Sequence, residues 1–440
     1  MLKKLSTLQL TLIIVCSVDS IRNLPAAATM GRDLFFYFLL AFLFFLLPSA
    51  VIASWFTQRS DEGIYGWVKL SLGKGWGFIA IWLQFMQNLF IFPTFFAFIA
   101  GLFLYCFDST LAQNNRLIFL ITNGLIWGLT WINRRGFTLS SFLTICCSFI
   151  GLIIPFIIIL AIGLKWLISN PQTLTTLTSN TENSWSALTA IILSFCGIEI
   201  AAIHAKDSKK NALPIAIGFS TLIIFSTMLF GALTLALIIP SQQLGFITGI
   251  PDLFQIFFRQ IKLDKIALII DMMVFIGCIG CANNWLISPI KGLAFAFNKQ
   301  HHAIHSDSLN NQLLVIQASI ISIISVLFLF FPSVNMSYWL MIVLATQMYL
   351  AMYVLMFLSA IRLAIQKQEV HKWWVIILAL LGILGSLIAF SVSFYPPPNL
   401  AISQLNHCLL LLLSLVIITM ISLVGYALLN QNFSKLPSPV

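Results

Sequence analysis

Apolar residues come in long runs along this chain, and polar residues collect between the runs. Crossing the roughly 30 Å hydrocarbon core of a bilayer takes about 20 residues of α-helix. Scanning at that length predicts twelve spans, at 7–30, 33–55, 77–106, 116–133, 138–168, 186–204, 212–239, 264–297, 312–331, 335–365, 372–395 and 402–429. The short alternating segments of a membrane β-barrel do not occur in the sequence. A backbone in lipid has to satisfy its own hydrogen bonds, so the fold class is an all-α polytopic membrane protein in a lipid bilayer.

Composition sharpens this reading. The 440 residues are 60% hydrophobic and 8% charged, where a soluble domain carries about 25% charged residues. The net charge of +10 would suggest nucleic acid in another setting, but the basic residues form short clusters between apolar runs. No basic stripe exists, so no nucleic-acid partner is expected. With both termini cytoplasmic, Lys3, Lys4, Arg59, Lys69, Lys74, Arg134, Arg135, Lys206, Lys209, Lys210, Lys291, Lys299, Arg362, Lys367, Lys372 and Lys435 fall inside. Arg32, Arg116, Arg259, Lys262 and Lys265 fall outside. The cytoplasmic excess satisfies the positive-inside rule. The first apolar run is not followed by a small-residue cleavage site and reads as a span.

The chain is expected to be a single transporter domain, 1–440, with internal symmetry. Five spans cover 7–168 and five more cover 186–366. Five is odd, so the second set begins from the opposite side of the membrane and the halves form inverted repeats, an arrangement common in secondary transporters. The last two spans, 372–429, are an appendage.

Ionisable residues inside spans are expensive and mark function. The acidic ones are Asp19, Glu199 and Asp271. Asp19 and Glu199 lie in the first span of each repeat, where such transporters break their helices. The run Cys16-Ser-Val-Asp-Ser-Ile-Arg-Asn-Leu-Pro25 interrupts the first span, and Gly197 does so in the sixth. On an intact helix Asp19 and Arg22 would share a face and could neutralise one another. Gln84, Gln87 and Asn88 in the third span, Asn283, Asn284 and Trp285 in the eighth, and Gln347 and Tyr349 in the tenth supply further polar and aromatic groups. Singly, each reads as an interhelical hydrogen bond; together they suggest a polar cavity at the midplane with an aromatic wall. Glu199 has no basic residue before Lys206 and reads either as a proton-sensitive gate or as a cap on backbone N–H groups at the break.

Other features are plainer. Cys278-x-x-Cys281 sits in an apolar run and reads as small packing residues. His301, His302 and His305 read as a solvated loop, so no metal is expected. Walker, nucleophile-elbow and HExxH motifs are lacking, which leaves no support for an ATP-driven pump or an enzyme.

Several stretches carry a family resemblance. They are Ser17-Val-Asp-Ser-Ile-Arg-Asn-Leu-Pro25, Gly63-Ile-Tyr-Gly-Trp-Val-Lys69, Gly197-Ile-Glu199 with His204 and Pro214, Trp285 with Ser288-Pro-Ile-Lys-Gly292, and Val392-Ser-Phe-Tyr-Pro-Pro397. They resemble amino acid permeases of the amino acid–polyamine–organocation superfamily, most closely its glutamate/γ-aminobutyrate antiporter group. The resemblance implies a LeuT-type fold with helices 1 and 6 unwound around the substrate. Where the family's helix 1 usually has a Gly-Ser-Gly-like break, this chain reads Val18-Asp19-Ser20. It also implies a gating or protonation role for Glu199 and an aromatic gate at Trp285.

The expectation is a secondary amino acid transporter, an antiporter or proton-coupled importer working by alternating access. The alternative is a transport-fold sensor without flux. The expected substrate-binding residues are Ser17, Val18, Asp19, Ser20, Arg22, Gln84, Gln87, Asn88, Cys196, Gly197, Ile198, Asn284, Trp285 and Gln347. Partners would be an amino acid or decarboxylated amine, with protons as a candidate coupling ion and no cofactor. The protein would be a monomer or homodimer in the cell membrane, the inner membrane in a Gram-negative cell.

Overall fold

The computed structural model describes residues 4–60, 62–134, 149–173, 184–200, 208–209, 211–297, 306–367, 372–396 and 402–434. The start of the fifth expected span, the end of the sixth, the loop histidines and Pro397 lie outside these residues.

Long apolar stretches fold as helices because nothing else satisfies their backbone in lipid. α1 (Thr7–Val18) begins with a capping box in which Ser6 and Gln9 satisfy each other's backbone N–H groups. It ends early and is followed by a 3-10 turn (Ile21–Asn23) and the short α2 (Leu24–Ala28). α3 (Leu34–Ala41) and α4 (Leu47–Thr57) are joined through a π turn (Phe42–Leu46) into one span. There follow α5 (Gly63–Leu72), α6 (Lys74–Tyr105), α7 (Asn115–Arg134), α8 (Ile154–Ser169), α9 (Ala187–Phe195) and α10 (Ala212–Ile238). The rest are α11 (Gly249–Gln260), α12 (Asp264–Phe297), α13 (Ser306–Ser325), α14 (Leu327–Phe330), α15 (Val334–Gln366), α16 (Lys372–Val392) and α17 (Gln404–Ser434). No strand is present among the described residues, only an isolated bridge between Leu5 and Ser208.

Among the described residues, 8 helical stretches are long and apolar enough to cross a membrane. Four of the twelve expected spans are not among them: the first and sixth are broken, the fourth is α7, and the last is represented only by a shorter apolar stretch, Gln404–Ile418. Two helices, α5 and α11, fall where loops were expected. α11 is amphipathic and buries Leu253, Phe254, Phe257 and Phe258 on one face, with Arg259 in its last turn complementing the helix dipole.

α6 and α15 form the centre of the bundle. Their most apolar windows are 89% and 83% buried, against 33% for α16, so α16 is peripheral and its outward leucines face where lipid would be. Where α8 is preceded by its own π turn (Phe149–Ile153), Gly151 lies against Gly277 of α12. A Cβ on either glycine would run into the other's backbone. This is the close approach that small residues permit in membranes, where packing rather than hydrophobicity drives helix association.

Candidate functional site

Helix 1 breaks at Asp19 and Ser20. The Asp19 N–H closes α1 by donating to the Val15 carbonyl at 2.8 Å, after which Asp19 (φ −66°, ψ 119°) and Ser20 (φ −131°, ψ 100°) are extended. Asp and Ser compete with helical hydrogen bonds through their own side chains, which suits them to this position. Pro25 does not make the break. It stands in the first turn of α2, where its missing N–H costs nothing.

The break after α9 mirrors this one. Cys196 is extended (φ −76°, ψ 148°) and Gly197 has φ +113°, a conformation that a side chain would strain. A Cβ on Gly197 would meet the Trp285 ring at 3.1 Å and Val18 Cγ2 at 3.5 Å. The two breaks and Trp285 are therefore in contact.

A cavity lies between the breaks. Val18, Asp19, Ser20 and Arg22 line it from helix 1, and Cys196 from the second break. Gln87 and Phe95 close it from α6, Trp285 from α12 and Tyr349 from α15. Cys278 and Cys281 lie on the same wall.

Asp19 and Arg22 are both buried, yet no ion pair joins them. Asp19 Oδ2 accepts a 2.7 Å hydrogen bond from Thr227 Oγ1 on α10, and Oδ1 has no partner. Arg22 turns to α6, where Nη1 donates to Thr94 Oγ1 at 3.1 Å and the guanidinium lies 4.7 Å from the Phe95 ring centroid. Its Nε has no hydrogen-bond partner. The mutual neutralisation open to an intact helix is not what the break produces.

Glu199, just beyond the second break, is 2% exposed and held by three side chains. Gln84 Nε2 donates to Oε1 at 2.9 Å, Tyr349 donates to the same oxygen at 2.6 Å, and the Tyr353 hydroxyl donates to Oε2. Tyr353 also accepts the Gly197 N–H at 3.1 Å. One tyrosine hydroxyl thus couples the strained glycine to the carboxylate.

The remaining expected residues distribute unevenly. Gln84 belongs to the Glu199 network, and Asn88 Nδ2 donates back to the Gln84 carbonyl at 2.9 Å. Ile198 is buried and does not line the cavity. Gln347 does not line it either, since its Nε2 donates to Ser393 Oγ at 2.7 Å. Helical spacing alone could not tell which face of α15 met the cavity. Ser17 and Asn284 fall within α1 and α12, and their side chains lie outside those described. Asn283 accepts from Asn133 Nδ2 at 2.9 Å, a bond between helices. Asp271 is buried in the N-terminal part of α12 and does not line the cavity. Thr94, Thr227 and Tyr353 were not anticipated, because single hydroxyls in apolar runs carry no distinguishing pattern.

Among the described residues, no cluster of three or more His, Cys, Asp or Glu could hold a metal ion. Comparison with known proteins agrees with the fold. Residues 5–422 match the amino acid permease family. An uncharacterized transporter of Legionella pneumophila is 30% identical, over 93% of this chain and 94% of its own length. A glutamate/gamma-aminobutyrate antiporter of Lactococcus lactis is 25% identical over 98% of this chain and 92% of its own. The crystal structure of MhsT in complex with L-phenylalanine superposes with a TM-score of 0.62 at 15% identity, covering 89% of this chain and 99% of that one. The chain belongs to the amino acid permease family, and it is a multi-pass secondary transporter of the LeuT-type fold rather than an enzyme.

Proposed function

We propose that this permease carries small amino acids or their decarboxylated amine products across the cell membrane by alternating access, with the cavity between the two helix breaks as the substrate site. The observation that supports this most is the convergence of Asp19, Arg22, Gln87, Cys196 and Trp285 on one cavity from four separate elements. Interrupted helices leave backbone groups and side chains free for a ligand at membrane depth, where irregular backbone is tolerated only beside a cavity. The residues 7–168 and 186–366 act as inverted repeats, and rocking of one bundle against the other exposes the site to each side in turn. The relative named as a glutamate/gamma-aminobutyrate antiporter makes exchange of an amino acid for its decarboxylated product the first mode to test; import coupled to protons is the other.

In this reading Ser17, Val18, Ser20, Gly197 and Ile198 shape the break around the substrate, and Trp285 is its aromatic wall. Glu199 is the latch. Its three donors come from α6 and α15, so the sixth span, which carries Glu199 beyond α9, can move against them only if that network is rearranged. Glu199→Gln keeps the shape and removes the charge, and is expected to lower the transport rate more than substrate affinity. Both termini are assigned to the cytoplasm, which a thiol reagent checks: single cysteines beside Lys209 and Lys367 should react only from that side.

Purified protein in proteoliposomes preloaded with unlabelled amino acids should take up labelled substrate faster than empty vesicles. A panel of amino acids and amines identifies the substrate. Absence of saturable uptake with every member, in vesicles that hold folded protein, would contradict the proposal.

A further inference from the structure

Two carboxylates meet beyond the substrate cavity. Asp271 of α12 is 1% exposed and stands two turns, about 10 Å, before Cys278 on the cavity wall. Phe103 of α6 contacts Phe275 of α12, with ring centroids 5.6 Å apart. One turn toward the start of α12, Asp271 reaches the end of α6, where it interacts electrostatically with Tyr105 and Cys106. Tyr105 in turn donates to Asp252 Oδ1 of α11 at 2.6 Å. Asp252 and Asp271 are thus close enough to repel one another.

The two acids are unequally provided for. Asp252 lies in the first turn of α11, where the helix dipole favours a negative charge. It accepts hydrogen bonds from Tyr105 and Thr248. Asp271 Oδ1 has no partner. The other charged residues on the outer halves of the elements around Asp271 are Arg116 of α7, Lys165 of α8, Arg259 of α11, and Asp264 and Lys265 of α12 itself. All are exposed, so solvent screens them. Among the described residues, no cation forms an ion pair with either carboxylate.

Two neighbouring buried carboxylates without a counter-ion do not both ionise readily, and such a pair retains one proton. We propose that Asp252 and Asp271 form a proton-binding pair on the outer side of the membrane, separate from the substrate cavity, with Asp252 ionised and the proton on Asp271 while α11 is seated. The site goes beyond the transporter reading above and takes from it only the orientation of the chain. Loss of the proton sets like charges against each other across the contact between α11 and α12. At its start α11 also lies against helix 1, since a Cβ on Gly249 would come 3.0 Å from Pro25 Cβ. Pro25 belongs to α2, which restarts helix 1 after its break. Protonation therefore favours the arrangement in which α11 and α2 are packed, and deprotonation opposes it. That difference in proton affinity between two arrangements is what a switch requires.

The test is infrared difference spectroscopy on the purified full-length protein, titrated from acid to alkaline pH. A protonated carboxyl has a carbonyl stretch that a carboxylate lacks. Asp271 is expected to contribute such a band at neutral pH, lost in Asp271→Asn and kept in Asp271→Glu. In Asp252→Asn the band should persist but vanish at a pH lower by about one unit or more, because the neighbouring charge that holds the proton is gone. A packing role alone would leave that midpoint where it is. Amide hydrogen exchange in α11, corrected for the intrinsic effect of pH, should accelerate at alkaline pH in the wild type and not in Asp271→Asn.

Absence of a band that Asp271→Asn removes would overturn the proposal, and so would a midpoint that Asp252→Asn leaves unchanged. Equal α11 exchange in wild type and Asp271→Asn at alkaline pH would do the same. A band that sodium or calcium chloride removes at constant pH would also overturn it, since the pair would then hold a metal cation. If Asp271→Asn does not fold, the Asp252→Asn midpoint still decides, because Asp271 is untouched there. None of these results depends on uptake in proteoliposomes, so failure of the pair and failure of the transporter reading are distinguishable.

Discussion

Replacing Gly197 by alanine tests whether the break after α9 is built into the backbone. The residue sits at φ +113°, where a side chain costs about 1–3 kcal/mol. The new Cβ would also come to 3.1 Å from two Trp285 ring carbons, tight enough that the ring has to give way. The ring lines the cavity, so a displaced Trp285 changes the site as well as the stability. Alanine's smaller unfolded-state entropy returns about 0.4–1 kcal/mol, leaving a net loss of up to about 2.6 kcal/mol. Gly218 is the control, since it lies in α10 where an added Cβ would meet only open space, and there Gly→Ala should gain up to about 1 kcal/mol from helix propensity. The same chemical exchange thus has opposite signs at the two positions. Thermal melting of the purified protein in detergent measures both, and substrate affinity should fall only for Gly197→Ala. If the two substitutions shift the melting point alike, the argument from φ and from Trp285 is refuted.

The Glu199 network predicts an order among tyrosine substitutions. Tyr353→Phe leaves both the Gly197 N–H and Glu199 Oε2 without a partner, whereas Tyr349→Phe leaves Oε1 with Gln84; each orphaned buried group costs about 1–3 kcal/mol, so Tyr353→Phe should melt lower, and equal melting points would argue against the network. Gln347→Ala should reduce stability through the lost bond to Ser393 but leave the substrate dissociation constant unchanged, and a large affinity loss would return Gln347 to the site. Asp252 lies in α11, outside the expected spans, where burial pushes its carboxyl above the ordinary value while the Tyr105 hydrogen bond pulls the other way. The folded protein then holds that proton more tightly than the unfolded chain, so ionisation counts against folding above the raised pKa and the penalty fades as pH falls. Asp252→Asn should therefore raise the melting temperature at about pH 8 and do so less at about pH 4; a difference independent of pH would contradict the assignment.

Much of the architecture was legible in the sequence because lipid leaves a chain few options. Apolar run length marks a span with little dependence on neighbours, and α6, α12 and α15 begin and end within a few residues of expectation. The polar run at 16–25 announced a break, but its location required the structure. Proline is the strongest local breaker in a sequence, yet here Asp19 and Ser20 leave the helix and Pro25 restarts it. The short α5 and the amphipathic α11 were hidden because a scan for span-length apolar runs is blind to helices of 10 and 12 residues. At the site, the fate of Gln347 and Tyr349 illustrates the limit. They are two residues apart on α15, and one bonds to Ser393 while the other reaches Glu199. Which face meets the cavity depends on how α15 packs against α6 and α16, and that is a tertiary fact. Tyr353 shares the Glu199-facing side because it is one helical turn beyond Tyr349, a relation that becomes informative only once the acid is located.

The account's central claim is that substrate binds between the two breaks. A cryo-electron microscopy structure of the protein in nanodiscs with its transported amino acid tests it most directly. Ligand density is expected against Asp19, Arg22 and Cys196, with the Trp285 ring beside it. Density at any other place, with this cavity unchanged and empty at saturating substrate, would contradict the claim.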